Sequence, residues 1–448
     1  MQPALAVLRS GSWLTRERVR LVAIAVFIAS VAGLFYLVVT AHGLIDIRGR
    51  PLGTDFSDVY AAGSYVLDGT PGAPFDPARQ HAREQQIFGE ATPFYGWHYP
   101  PFFLFIATAL ALMPYGIALI VWQAVTLALY LLVMRAIVFP SPSARGEGQG
   151  EGASPRSSEL RQHPLPLASL DLSPHAGRGD YMWLLLAVAF PAVLINVGHG
   201  QNGFLTAALL AGALLQLDRR PIVSGILIGC LAYKPQFGLM IPLVLAVTGR
   251  WRVFAAAAAT VAVLALATTV AFGPHVWQAF LDSTRFTRIV ALEHGDTGWY
   301  KIQSLFAWVR MWGAPISVAY ALQGALVIAL GAGLIRLWRS AVPFALKAAG
   351  LCLATVLATP YTFDYDMMVL APAIAFIARD GMARGFGPWE KTALAALWLV
   401  PLVARSIAYV TFIPLGVPTM LAMFVLLLRC STIYSALPTA TSSAILLK

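Results

Sequence analysis

Arg16–Thr40 reads RERVRLVAIAVFIASVAGLFYLVVT, three arginines followed by twenty residues without a charge. At about 1.5 Å of rise per residue, a run of that length spans the roughly 30 Å hydrocarbon core of a bilayer. A secretory leader would carry a shorter apolar core of about 7–15 residues, so cleavage is the alternative and a retained first span is the reading. The whole chain repeats the message. Of its 448 residues, 58% are hydrophobic and only 12% charged, and mean hydropathy is +0.71. A soluble domain needs roughly twice that share of charge. The reading is an all-α polytopic integral membrane protein with about ten to thirteen membrane helices and a long first outer loop.

Further spans are expected at 21–41, 116–138, 181–197, 203–217, 253–272, 316–338, 343–358, 366–378, 391–410 and 411–429. Ile222–Val247 is interrupted by Lys234–Pro235. A mid-helix proline lacks a backbone donor and clashes with the preceding turn, so two half-spans should meet there. The net charge of +10 does not call for nucleic acid, because the basic residues sit in short loops between apolar runs. Arg16–Arg20, Arg135, Asp218–Arg220, Arg250–Arg252, Arg336, Arg339, Arg379, Arg384 and Arg429 would all be cytoplasmic. That parity requires 101–115, bounded by prolines, not to cross fully. The organisation expected is then a cytoplasmic 1–20, first spans over 21–139 with outer loop 42–100, an insert at 140–180, the remaining bundle over 181–429 and a cytoplasmic tail at 430–448. The insert is Pro/Ser/Gly/Arg-rich and should be disordered and dispensable. Asp76–Pro77 reads as a cap and first-turn proline opening a helix to about Phe88. Cys230, Cys352 and Cys430 have no paired spacing and read as small core residues.

On this topology the unusual polar clusters share one outer face: Asp55 and Asp58 in GTDFSDVY, His98 and Tyr99 in FYGWHYPP, His199, Gln201 and Asn202 in GHGQN, Lys234, the 273–300 loop, and Asp364 in TPYTFDYD. Ionisable groups at membrane level usually line a polar cavity or pathway. A G-x-G-x-x-G after a strand is missing from the sequence, so a nucleotide-binding α/β domain has no obvious seat.

DFSDVYAAGSYVLDG, FYGWHYPPFF, GHGQNGFLTAALL, YKPQFGLMIPL and ATPYTFDYDMMVLAPA, in that order, resemble glycosyltransferase family 87, enzymes of the multi-spanning GT-C class. The resemblance implies transfer of a sugar, often mannose, from a polyprenyl-phosphate carrier to a glycan or lipid acceptor outside a bacterial cytoplasmic membrane, among membrane lipids and without a cofactor. It also implies a catalytic aspartate in the first outer loop. Asp55 matches that position and Asp58 is its neighbour; a helix cap or a solvated acid is the plain alternative. Lys234 and Arg405 are candidates for the lipid phosphate. The alternatives are a snorkelling lysine and an ion pair between Arg405 and a loop acid. His98 and Tyr99 would contact sugar or phosphate, or belong to an aromatic belt. His199, Gln201 and Asn202 would bind sugar hydroxyls, or cap the next helix. Asp364–Tyr365–Asp366 resembles a metal pair, but starting the next span is the preferred reading and no metal is expected. A transporter or lipid flippase is the second function class, since broken helices with a midplane lysine occur there too. A non-catalytic membrane scaffold is the third.

Overall fold

The computed structural model describes residues 2–140 and 181–436. The insert expected at 140–180 and the end of the expected tail fall almost wholly outside the described residues. Within them the chain is helical, with only isolated β-bridges. A short helix α1 (Gln2–Ser10) precedes α2 (Arg16–Val39), which Thr15 caps by accepting from Arg18 N–H at 3.3 Å. The first long connection folds into α3 (Phe56–Leu67) and α4 (Pro77–Phe88). Asp76 accepts from Ala78 and Arg79 N–H at 2.9 and 3.1 Å, the cap expected from Asp76–Pro77. Next come α5 (Leu104–Ala111) and α6 (Tyr115–Val138). With the 3₁₀ turn Pro101–Phe103 directly before it, α5 forms a short, proline-bounded apolar helix that packs against α3.

Beyond the insert run α7 (Met182–Val188), α8 (Pro191–His199), α9 (Gly203–Gln216), α10 (Pro221–Cys230), α11 (Met240–Val247) and α12 (Trp251–Phe272). The single span expected at 181–197 is bent by 46° where Pro191 interrupts it. The break at Lys234–Pro235 turns the chain fully back. Arg250, after α11, grips Asp218, before α10, at 2.9 Å, so both half-spans start and end at one side. The remaining helices are α13 (His275–Thr287), α14 (Leu305–Met311), α15 (Ile316–Arg339), α16 (Phe344–Ala358), α17 (Leu370–Arg384), α18 (Glu390–Thr411) and α19 (Gly416–Ala436). One boundary differs from the sequence expectation and a second falls beside the expected division at 410/411. Asp364–Val369 forms a 3₁₀ turn ahead of α17. Phe412, left-handed at φ 58°, separates α18 from α19. Among the described residues, five helices are long and apolar enough to cross a membrane, with the α7–α8 pair a possible sixth and shorter apolar helices beside them.

At the centre is α16, almost all buried. Its alanines and Gly350 leave no bulk between backbones, which is how helices approach closely in an apolar solvent. Contacts define two ends of the bundle. Trp389 N–H donates to Arg9 O, Arg379 to Ile137 O and Arg336 to Thr432, which gathers the arginine-bearing turns at one end. The connections carrying Asp55, His98, His199, Lys301 and Asp364 gather at the other.

Candidate active site

Asp55 occupies the N-cap position of α3, yet its side chain makes no capping hydrogen bond. The carboxylate turns instead to the GHGQN loop. Gln201 Nε2 donates to Oδ2 at 2.7 Å, and His199 Nδ1 stands 3.5 Å from Oδ1. Thr54 Oγ1 shares that ring nitrogen at 2.7 Å. The loop can reach because α8 ends on Gly200 with φ +64°, where a Cβ would lie 2.5 Å from Phe56 Cβ. The Gly200 carbonyl accepts from Trp122 Nε1 at 3.1 Å. Asn202 does not cap α9 through its side chain. Asn196 takes that work, accepting from Gly203 N–H at 2.8 Å while donating to the Tyr365 carbonyl at 3.0 Å. The Asn202 amide is thereby released to donate to the Tyr99 hydroxyl at 2.8 Å, and Tyr99 donates on to Gln201 Oε1 at 3.4 Å. Asp55, Gln201, Asn202 and Tyr99 thus form one hydrogen-bonded line drawn from three separate stretches of sequence.

Cations complete the setting. Arg405 pairs with buried Asp364 through Nε at 2.7 Å and Nη2 at 3.1 Å, the ion pair that was one of its two readings, yet its side chain stays 35% exposed. Lys301 lies within electrostatic reach of Asp55, Asp364, Arg405 and Arg50. Burial, then Arg405, holds its ammonium below the usual lysine value. Burial pushes the Asp55 carboxyl up, but His199, Gln201 and Thr54 together bring it below the ordinary value. With its side chain 22% exposed, Asp55 is an ionised, positioned carboxylate within electrostatic reach of Lys301.

Three expected site residues stand behind this line. Asp58 is 4% exposed, its Oδ1 without a partner among the described residues. Burial, then the fields of Glu84 and Asp55, pushes it well above the carboxylate range and favours the neutral acid. His98 bonds through Nδ1 to Thr287 Oγ1 at 2.8 Å, tying its loop to α13. Burial pushes its ring down to about 4, so it is neutral there. Lys234 corrects the expectation of a cation free to reach the cavity or to snorkel. It is 4% exposed and pairs with Asp366 at 2.6 Å, beneath the Tyr365 ring at 5.1 Å. Asp364 and Asp366 accordingly face different cations rather than one shared metal position.

Sequence reasoning passed over Thr54, Asn196, Gln80 and Glu84, and it read Lys301, with the other outer-loop charges, as shaping an acceptor site or merely solvated rather than as catalytic. Gln80, Glu84 and Phe88 recur every fourth residue on α4 and are all buried. That spacing on an otherwise polar helix was the available signal.

Residues 97–360, more than half of the chain, match glycosyltransferase family 87. The chain belongs to glycosyltransferase family 87. No curated protein and no solved structure matches it. The family 87 segment contains Tyr99, the GHGQN loop, Lys234, α13 and Lys301, whereas Asp55, Asp58, Asp364 and Arg405 flank it. As a family 87 protein it is a membrane glycosyltransferase, which requires a sugar donor and an acceptor.

Proposed function

We propose that the enzyme moves a hexose, with mannose the sugar the resemblance favours, from a polyprenyl-phosphate carrier to an extracytoplasmic acceptor by a single inverting displacement. The observation that carries this reading is the orientation of Asp55: ionised, uncommitted to its helix, held by Gln201 and beside cations. As the acceptor oxygen attacks the anomeric carbon, its proton passes to Asp55. The bond from that carbon to the phosphate oxygen breaks, and the electron pair leaves with the lipid phosphate. A phosphate leaves without protonation, so one carboxylate suffices. Charge growing on the leaving group is stabilised by preplaced cations, for which Arg405 and Lys301 replace Lys234. Tyr99, Gln201 and Asn202 orient the base and offer hydrogen bonds to sugar hydroxyls. The arginine-bearing end is assigned to the cytoplasm by the excess of basic residues in its loops. The site then faces the periplasm of a bacterial inner membrane, where a lipid-borne donor is the natural activated sugar.

The test uses purified protein and a radiolabelled polyprenyl-phosphate mannose. Asp55→Asn keeps shape and loses basicity, so transfer should fall by about 10²–10⁴-fold, the usual share of a general base. A folded Asp55→Asn protein that transfers at the wild-type rate would refute the assignment.

A further inference from the structure

Glu84 is fully buried and takes no part in the chemistry above. A carboxylate removed from water needs donors on both oxygens. Tyr95 N–H donates to Oε2 at 3.1 Å, Gly96 N–H to Oε1 at 3.2 Å, and Gln80 Nε2 to Oε1 at 3.3 Å. The same Gln80 nitrogen donates to the Asp58 backbone carbonyl at 3.0 Å. One turn of α4 therefore grips both halves of the site. Asp58 lies on the first turn of α3, whose N-cap is Asp55. Tyr95–Gly96 lead directly into Tyr99, the hydroxyl that fixes Gln201 on Asp55. Gly96 sits at φ +76°, where a Cβ would lie 2.6 Å from the Phe94 ring, so the loop passes this point in a shape few residues share.

We propose that the Gln80–Glu84 pair is a positioning clamp that sets the distance between Asp55 and the Tyr99–Gln201–Asn202 line. The inference rests on the proposed role of Asp55. The clamp holds best when Glu84 is ionised, because both oxygens then accept fully. Burial pushes Glu84 up to about 7, against the backbone donors of Tyr95 and Gly96. The titratable groups facing it are Asp58 on α3 with Asp55 beyond, His81 on its own helix and Tyr95 on the loop. Lowering the pH through about 7 protonates Glu84 and loosens the loop, so kcat gains an acid limb near neutrality.

The experiment takes the full-length protein in nanodiscs with radiolabelled polyprenyl-phosphate mannose and an envelope lipid extract as acceptor. Glu84→Ala should lower kcat by about 100-fold with KM for the donor within about threefold, the penalty of a misplaced catalytic group. Glu84→Gln retains one acceptor oxygen. It should recover to within about tenfold of wild type and lose the limb near pH 7. Amide exchange at 95–96 should quicken in both variants while that of α14 stays unchanged. Wild-type kcat, a retained limb in Glu84→Gln, or unaltered exchange at 95–96 would each overturn the clamp, and Glu84→Gln alone decides if Glu84→Ala does not fold. Asp55→Asn separates the two ideas. If it keeps full transfer while the Glu84 variants still lose kcat and loosen the loop, the base reading fails and the clamp stands. If it is inactive and the Glu84 variants are neutral, the clamp alone fails.

Discussion

Asp55 and Lys234 show how a side chain's partner, rather than its type, decides what it can do. Asp55 stands where an aspartate ordinarily accepts from the first turn of a helix, but the left-handed Gly200 brings a better donor, Gln201, to 2.7 Å. Its type and place in the chain were legible in the sequence. Its orientation was not, because the donor lies 146 residues away. Lys234 is the reverse case. The interruption of the apolar run marked it as unusual, but its partner Asp366 lies 132 residues on, in a stretch read as the start of a span. Removing one member of a buried pair leaves an uncompensated charge, which costs about 3–5 kcal/mol, whereas replacing both by apolar groups is often neutral. Lys234→Met alone should therefore lower the midpoint of thermal unfolding in detergent markedly, and Lys234→Met with Asp366→Leu should regain most of it. A single variant as stable as wild type would show that the pair contributes nothing.

Elements were legible where apolar length alone specifies them, as for α6, α12 and α15, whose bounds fall within two residues of the expected spans, while α2 begins five residues before its expected span. The bend within 181–197 was harder, because Pro191 changes the direction of the α7–α8 span without changing hydropathy, whereas the parting of α18 from α19 at Phe412 lies beside the expected division at 410/411. The packing of the half-span α10 on the full-length α12 illustrates what holds such short elements. Gly225 and Gly229 sit one turn apart on α10. A Cβ on the first would lie 2.5 Å from Ala256 Cβ, and on the second 2.5 Å from Thr260 Cβ. Without a hydrophobic drive between helices in lipid, this backbone-close packing is the main force joining α10 to α12. Gly229→Leu should push the helices apart and cost about 1–3 kcal/mol, as overpacking does. Gly324→Leu on α15, with nothing within 4 Å, serves as the control. Equal unfolding midpoints for the two variants would contradict close packing as the bond between these helices.

At the scale of the whole molecule, the two ends of the bundle differ in what they present. One gathers arginines from α1 through α19; the other gathers Asp55, the GHGQN loop, α13, Lys301 and Asp364. The basic-loop pattern made this arrangement legible, on the expectation that 101–115 does not cross. The meeting of these loops was not legible, since it depends on which distant stretches touch. Sidedness follows from the proposed function, because a lipid-borne donor cannot bring its sugar to residues divided between two aqueous phases. Single cysteines at exposed Arg48, Asp296 and Phe412 should therefore react together with a membrane-impermeant maleimide in sealed vesicles, in a background whose three native cysteines are replaced by alanine. A cysteine at Arg220, beside α10 at the arginine-rich end, should react only after the vesicles are opened. Arg48 precedes α5 in the chain and Phe412 follows it, so an unexpected crossing by α5 would place the two on opposite faces. That result would divide Asp55 from Arg405 and Asp364, remove these cations from beside the proposed base, and leave the proposed displacement without a site.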